Sequence, residues 1–339
     1  MNAGLIVIIL LLVLSILGIP IYLALGIGTL VALNMADMPF IVLPQKLFAG
    51  MNSSSLLAIP FFMLAGNIMS RSITGKLIDV SNALIGWIKG SLAVVTVLAS
   101  ALFGAISGSG VATASAVGGT TIPAMKEEGY PDHFAAAISR IAAILGPIIP
   151  PSITLIVYAS ITDLSVSKLF VGSVIPGILM AVGLIIYALF YGKKNDLPAH
   201  ERKSAKEVLL IFKDSIWALL MPIGIVMGMR VGIFTPTECA AICVLYSLFC
   251  GVFIYRRLKL EHIKKIVVES VHSTASVLLI LSAASMFSRY MLWENIPQIG
   301  TNLLIKIAPN GTVFILIVLV FMLIMGMFLD TAAALIILP

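Results

Sequence analysis

Long apolar runs alternate with short charged loops along this chain. Residues 5–33, 169–191 and 239–255 contain no charged side chain, and about 20 apolar residues suffice for a helix to cross a bilayer. Each run predicts a membrane-spanning helix, the first as a single span over residues 5–33. The loops at residues 193–213 and 256–265 are rich in lysine and arginine, which predicts that both face the cytoplasm. The pattern predicts an all-α, multi-pass membrane protein.

Residues 91–125 predict a re-entrant hairpin. Two apolar arms, residues 91–106 and 111–125, flank a short tip rich in serine and glycine. At a rise of 1.5 Å per residue such an arm reaches about 24 Å, which is short of a hydrocarbon core of about 30 Å. The chain is therefore expected to turn back at the tip, which must be enclosed by protein or line a water-filled cavity. The tip residues are Ser107, Gly108, Ser109 and Gly110, and Thr113 follows within one turn.

The apolar run at residues 134–160 contains several residues that interrupt helices. Proline removes a backbone donor and clashes with the preceding turn, so this run predicts two half-helices with an unwound middle. Carbonyl and hydroxyl oxygens in such a break and at the hairpin tip suit an alkali cation. Close helix packing by small residues and a simple proline kink are the plainer interpretations, and both stay open here. The interrupting residues are Gly146, Pro147, Pro150 and Pro151.

The order of these segments predicts two repeats of opposite orientation. Two hairpins that approach the midplane from opposite faces are typical of inverted-repeat secondary transporters. Within the second repeat, residues 258–271 and 273–292 are expected to be separate helices, and a partner for the broken helix is expected beyond residue 339, so the fold is expected to be C-terminally incomplete. The predicted divisions are a first repeat at residues 1–191 (hairpin 91–125, broken helix 134–160, span 169–191), a basic cytoplasmic loop at 192–213, and a connecting span with the incomplete second repeat at 214–339 (hairpin arm from 312).

Composition and charge agree with a membrane protein. Of the 339 residues 60% are hydrophobic and 11% are charged, which excludes an ordinary soluble domain. The net charge of +6 is concentrated in loops between apolar runs, so it indicates topology and not nucleic-acid binding. Residues 71–89 are net positive and predict an amphipathic arm along the lipid bilayer surface.

An enzyme would need a nucleophile with a base, a pair of carboxylates or a metal site. No serine at the tip has an evident base, because all four histidines lie in or beside charged loops. Asp330 follows the apolar run 322–329 and has no second intramembrane aspartate to pair with. The chain is therefore predicted not to be an enzyme. A carboxylate at such a position is costly unless it faces a cavity, a cation or a partner.

Six stretches, in family order along the chain, together resemble the large membrane subunit (DctM/SiaM type) of tripartite ATP-independent periplasmic (TRAP) transporters. The resemblance implies an elevator-type fold like that of the ion-transporter superfamily, in a multi-pass protein of the bacterial inner membrane. It implies sodium-coupled import of small organic acids such as C4-dicarboxylates or sialic acid. It also implies a small membrane subunit (DctQ type) and a periplasmic substrate-binding protein (DctP type) as partners. The stretches are residues 58–69, 103–130, 145–153, 169–177, 235–241 and 326–339.

Three functions are the alternatives to a binding-protein-dependent importer. They are a stand-alone sodium/anion symporter of the divalent-anion type, an intramembrane hydrolase that uses a tip serine, and an uncoupled channel.

The resemblance further implies roles for individual residues. One Na⁺ site is implied at Ser107, Gly108, Ser109, Thr113, Gly146, Pro147, Pro150 and Pro151, a second and partial Na⁺ site at Gly326, Asp330 and Thr331, and substrate contacts at Ser109, Gly110, Thr113 and Asp330.

Overall fold

The computed structural model describes residues 3–35, 41–308, 310–326, 331 and 335. Over these residues the secondary structure is helical and no strand is formed. The α-helices are α1 (Ala3–Ile16), α2 (Ile21–Met35), α3 (Val42–Met51), α4 (Ala58–Ser72), α5 (Thr74–Ile85), α6 (Ser91–Ser107), α7 (Gly110–Thr113), α8 (Gly119–Glu127), α9 (Asp132–Ala143), α10 (Leu145–Ile148), α11 (Ile153–Thr162), α12 (Val166–Lys194), α13 (Ala205–Arg230), α14 (Pro236–Phe249), α15 (Leu260–Trp293), α16 (Ile296–Ile307) and α17 (Gly311–Gly326). A 3₁₀ turn at Ser54–Leu57 precedes α4, and π-helical turns at Ala114–Gly118 and Cys250–Ile254 follow α7 and α14.

Four of these helical stretches are long and apolar enough to cross a membrane: α12, α13, α14 with its π turn, and α15. Large apolar side chains on α12 lie on the outer surface, among them Ile175 at 68% and Phe190 at 67% exposure. Such side chains suit contact with lipid. The expectation of a multi-pass, all-α membrane protein is confirmed, whereas the inverted repeats, the elevator motion and the re-entrant course of the hairpin stay predictions.

Two further apolar stretches are bent at a break. Ser54–Ser72 meets Thr74–Ile85 at 66°, and Asp132–Ile148 meets Ile153–Thr162 at 43°. The second bend confirms the predicted interruption of the helix at residues 134–160.

The prediction of one span over residues 5–33 was wrong. The run is divided into α1 and α2, which pack against each other. The division lies at Gly18, whose φ is 79°, and at Pro20, whose ring removes a backbone donor. The hydropathy pattern does not show this break, because both residues lie among apolar neighbours.

The predicted break between residues 271 and 273 was also wrong. Helix α15 runs without interruption from Leu260 to Trp293. The sequence His272-Ser273-Thr274 at this point contains neither glycine nor proline, so nothing in its backbone chemistry ends a helix.

Residues 54–273 form one compact unit, and residues 1–53 together with 274–339 form another. The hairpin and the broken helix both belong to the unit at 54–273. Division of the chain into repeats at residues 191 and 214 stays a prediction.

Side chains from the hairpin arms, α9 and α12 make up the core around the hairpin. Met125, Phe134 and Ile138 are buried there, and the rings of Phe134 and Tyr191 stack with centroids 3.7 Å apart. Lipid is as apolar as these side chains, so close packing holds the helices together more than the hydrophobic effect does. The core thereby fixes the base of the hairpin against its neighbours.

Candidate functional site

The tip of the hairpin is formed where α6 ends. Gly108 follows α6 with φ 62° and ψ 11°, and its N–H donates to the carbonyl of Gly104 at 2.9 Å. Glycine adopts this left-handed conformation without steric cost, whereas other residues rarely do. Ser109 then begins the returning arm, because its Oγ accepts from the N–H of Ala112 at 3.3 Å. The chain reverses here, and α8 packs back against α6.

Three oxygen atoms converge at this tip. The hydroxyls of Ser107 and Thr113 are 3.3 Å apart, and both side chains are buried. Thr113 Oγ1 donates to the carbonyl of Ser109 at 2.8 Å, and the N–H of Ser109 lies 3.4 Å from Ser107 Oγ. The cluster is neutral and oxygen-rich, as the sequence predicted.

The broken helix exposes a second set of oxygens. After α10 the chain is extended at Ile149 and passes through a cis Pro150–Pro151 bond before α11 begins. Ser152 caps α11 by accepting from the N–H of Leu155 at 3.2 Å. The carbonyl of Pro147 accepts from Ser152 Oγ at 2.5 Å and from Thr154 Oγ1 at 3.3 Å. Two hydroxyls thus take the place of the helical N–H groups that the prolines cannot supply.

The tip and the broken helix are in direct contact. The N–H of Ile153 donates to the carbonyl of Gly108 at 3.3 Å. A Cβ built on Gly108 would lie 2.6 Å from the carbonyl oxygen of Pro151, and one on Gly146 would lie 2.8 Å from both the Ser109 carbonyl oxygen and Thr113 Oγ1. Only glycine permits such approach, so the structure brings together the two segments that the sequence singled out.

Three of the remaining predicted residues, Gly110, Pro150 and Pro151, also lie at this contact. A Cβ on Gly110 would lie 3.4 Å from Cδ of Pro147, and the break itself contains Pro150 and Pro151. In the other compact unit, Gly326 ends α17 and Thr331 is exposed. Asp330 lies outside the described residues. The partial second Na⁺ site that the resemblance implies stays a prediction.

Sequence reasoning missed four residues that shape this contact. Gly104 of α6 faces Gly146, and Gly66 of α4 would place a Cβ 2.9 Å from Cα of Ser107. Ser152 and Thr154 supply the hydroxyls that bind the Pro147 carbonyl. The glycines carry no local signal, because their role depends on a distant element. The two hydroxyl residues adjoin the prolines and could have been selected for that reason.

Within the described part of the chain, no group of three or more histidine, cysteine, aspartate or glutamate side chains could hold a metal ion. What the contact offers is a set of hydroxyl and carbonyl oxygens, from Ser107, Thr113, Ser109 and Pro147. These are hard, neutral ligands of the kind that coordinate alkali cations in transport proteins. The donor set fits Na⁺ chemically.

Opposite the tip, the hairpin base is tied to the loop between α12 and α13. His200 Nε2 lies 2.9 Å from Glu128 Oε1 at the end of the returning arm. The backbone N–H of His200 donates to the carbonyl of Gly86 at 3.0 Å, and the N–H of Gly90 donates to the carbonyl of Pro198 at 3.1 Å. His200 Nδ1 also lies 3.4 Å from Ser91 Oγ. One loop therefore contacts both ends of the hairpin.

Glu128 should give this junction a pH dependence. Burial raises the pKa of the Glu128 carboxyl above its usual 4.5, and the attraction of His200 opposes the shift. The folded chain therefore holds this proton more tightly than the unfolded chain does. The contribution of the protonated carboxyl to the free energy of unfolding is lost as pH rises from about 4.5 through the raised pKa. We expect the original chain to lose thermal stability relative to Glu128→Gln over that interval, measured by unfolding in detergent.

The neighbouring residue supplies a matched control for this experiment. Glu127 is exposed, so Glu127→Gln should melt in parallel with the original chain as pH changes. Parallel melting of Glu128→Gln and the original chain would contradict the expected effect of burial.

Comparison with known proteins identifies relatives of this chain. A family model described as the DctM component of the tripartite ATP-independent periplasmic transporter matches residues 8–339. A C4-dicarboxylate TRAP transporter large permease protein, DctM, of Pseudomonas aeruginosa is 39% identical, over 86% of this chain and 69% of its own length. The sialic acid TRAP transporter large permease protein SiaM of Vibrio cholerae is 34% identical, over 87% of this chain and 69% of its own length. The protein YgiK of Salmonella typhimurium is 38% identical, over 94% of this chain and 74% of its own length.

Proposed function

The chain belongs to the DctM family of tripartite ATP-independent periplasmic transporters, and from this premise we propose that it is the transport subunit of a sodium-coupled importer of small organic acids. Like its relatives, it is a transporter permease subunit and not an enzyme. In the proposal it lies in the bacterial inner membrane, works beside a small membrane subunit and receives substrate from a periplasmic binding protein.

The contact between the hairpin tip and the broken helix is the observation that carries the sodium proposal. Ser107 and Thr113 are buried, neutral and within 3.3 Å of each other. Burying neutral oxygens is costly unless each has a partner, and a cation of small radius can serve several of them at once. The hydroxyl of Thr113 can donate to the Ser109 carbonyl while a lone pair of its oxygen faces the ion.

Bound Na⁺ would hold the tip against the break and so order the substrate site beside it. Helix α11 begins at the break with its N-terminus capped by Ser152, and a helix N-terminus carries positive partial charge that favours a carboxylate. The tip residues Ser109, Gly110 and Thr113 are proposed to contact that carboxylate. Ion binding and substrate binding are then thermodynamically coupled, and the loaded domain moves across the bilayer in an elevator motion.

A second sodium site at Gly326, Asp330 and Thr331 belongs to the same proposal. A carboxylate after a long apolar helix is expected to face an ion, a cavity or a partner. The inverted arrangement would bring this site to the substrate from the opposite face.

Small carboxylates are the proposed substrate class. Two relatives are named for C4-dicarboxylate and for sialic acid, and both compounds carry a carboxylate that a helix N-terminus can recognise. The shared feature, a compact organic anion, defines the panel to be tested.

The requirement for a binding protein tests this function. The chain would be reconstituted in proteoliposomes with its small membrane subunit, and uptake of labelled organic acids would be measured with and without the periplasmic binding protein. Uptake is expected only with the binding protein. Uptake of free substrate by the chain alone would indicate a stand-alone symporter, and current without coupled uptake would indicate a channel.

A further inference from the structure

A basic and apolar groove lies between α5 and the start of α13. It has a volume of about 680 Å³ and is open to the protein surface. Its lining residues include Leu84, Trp87, Arg202, Lys203, Leu209 and Phe212. Among the described residues that line it, none is acidic.

Charge and apolar surface are separated within this groove. Arg202 and Lys203 lie just before α13, and the Arg202 guanidinium lies 5.0 Å from the centre of the Trp87 ring. Leu209 and Phe212 lie one to two turns further along α13, and Leu209 is 70% exposed. At a rise of 1.5 Å per residue, Leu209 lies about 6 Å along the axis of α13 from its first residue, Ala205.

The groove lies where a membrane-spanning helix begins. Helix α13 is a candidate span, and its first residues follow a basic segment that the sequence predicts to face the cytoplasm. Exposed tryptophan together with arginine and lysine is typical of the headgroup level. Helix α5 is bent by 66° from the helix before it, as suits an arm lying along the surface.

The carboxylates nearest in sequence, Glu201 and Glu207, do not line the groove. Glu207 is held by Ser204, accepting from its N–H at 2.8 Å and from its Oγ at 2.9 Å. This capping box directs the carboxylate to the helix end. Lys203 is exposed, and Arg202 is exposed beside Trp87.

We propose that this groove binds an anionic phospholipid of the adjoining leaflet, with the phosphate at Arg202 and Lys203 and an acyl chain along Leu84, Leu209 and Phe212. A charged rim above an apolar wall complements a phospholipid, which joins an anionic headgroup to a hydrocarbon tail. Basic pockets between spanning helices bind anionic lipid headgroups in the same way. The groove would anchor the loop that also contacts the base of the hairpin.

Tryptophan fluorescence offers a direct test. Trp217→Phe and Trp293→Phe would leave Trp87 as the single tryptophan, since the chain has three. The full chain would be reconstituted in phosphatidylcholine containing brominated phosphatidylglycerol, or brominated phosphatidylcholine at the same mole fraction. Quenching of Trp87 should be several-fold stronger with the brominated anionic lipid.

A matched pair of double variants separates a site from general attraction. Each direct hydrogen bond from a basic side chain to a phosphate contributes about a factor of ten or more in affinity, so Arg202→Gln with Lys203→Gln should weaken phosphatidylglycerol binding at least about tenfold. Lys193→Gln with Lys194→Gln removes the same charge at the end of α12, outside the groove, and should change binding less than about threefold.

Three results would overturn the proposal. They are equal quenching by the two brominated lipids, equal losses in the two double variants, and loss of the lipid preference when the small membrane subunit is added. The last result would assign the groove to that subunit. Native mass spectrometry of the chain with all its tryptophans, counting retained phosphatidylglycerol, provides the same comparison if the tryptophan variants do not fold.

Discussion

Gly146→Ala is expected to reduce sodium-dependent uptake at least about fivefold. Its new methyl group would lie 2.8 Å from the carbonyl oxygen of Ser109 and from Thr113 Oγ1. Both atoms belong to the tip itself, so the tip must move away from the broken helix. Overpacking of this kind costs about 1–3 kcal/mol, and 1.4 kcal/mol corresponds to about a factor of ten in affinity. Uptake in proteoliposomes against an imposed sodium gradient measures the effect.

Gly119 provides the control for this prediction. It lies in the returning arm of the same hairpin, and a Cβ there would meet no atom within 4 Å. Gly119→Ala should therefore keep its uptake and gain slightly in helix stability. Normal sodium-dependent uptake by Gly146→Ala would show that close contact between the tip and the break is not needed.

Removal of the Thr113 hydroxyl is the second large expected effect. Thr113→Val keeps the branched shape but loses the oxygen that lies 3.3 Å from Ser107 Oγ and 2.8 Å from the Ser109 carbonyl. A hydrogen bond or ligand contact to a charged group contributes about 1.5–3 kcal/mol. We expect the sodium concentration for half-maximal uptake to rise about tenfold or more. Ser107→Ala should act in the same direction.

Thr113→Ser distinguishes loss of an ion ligand from loss of shape. Serine retains the hydroxyl, so its sodium dependence should stay close to that of the original chain. Sodium-dependent shifts in melting temperature should follow the same order, since an ion that binds only the folded chain stabilises it. If Thr113→Val and Thr113→Ser respond to sodium alike, the hydroxyl is not a ligand.

The parts of the site that sequence predicted well are those governed by local chemistry. Gly108 ends α6 in a left-handed conformation, and Pro150 and Pro151 open the helix at the break. Glycine and proline impose these outcomes on their own backbone. The tip and the break could therefore be located without any knowledge of their surroundings.

The parts that could not be predicted depend on residues far apart in sequence. Gly66 and Gly104 are ordinary small residues in apolar helices, and only the fold shows that one faces Ser107 and the other Gly146. The tie between His200 and Glu128 likewise joins two loops 72 residues apart. The division at Gly18 could not be predicted from hydropathy either, because a short turn between two apolar helices leaves the mean hydropathy of the run unchanged.

Coupling between sodium and substrate is the central claim, and simultaneous flux measures it most directly. Proteoliposomes containing the chain, its small membrane subunit and the binding protein would be supplied with labelled organic acid and labelled sodium. We predict that each flux requires the other solute, and that both fall together in Thr113→Val. Substrate uptake that continues unchanged when potassium replaces sodium would contradict the account.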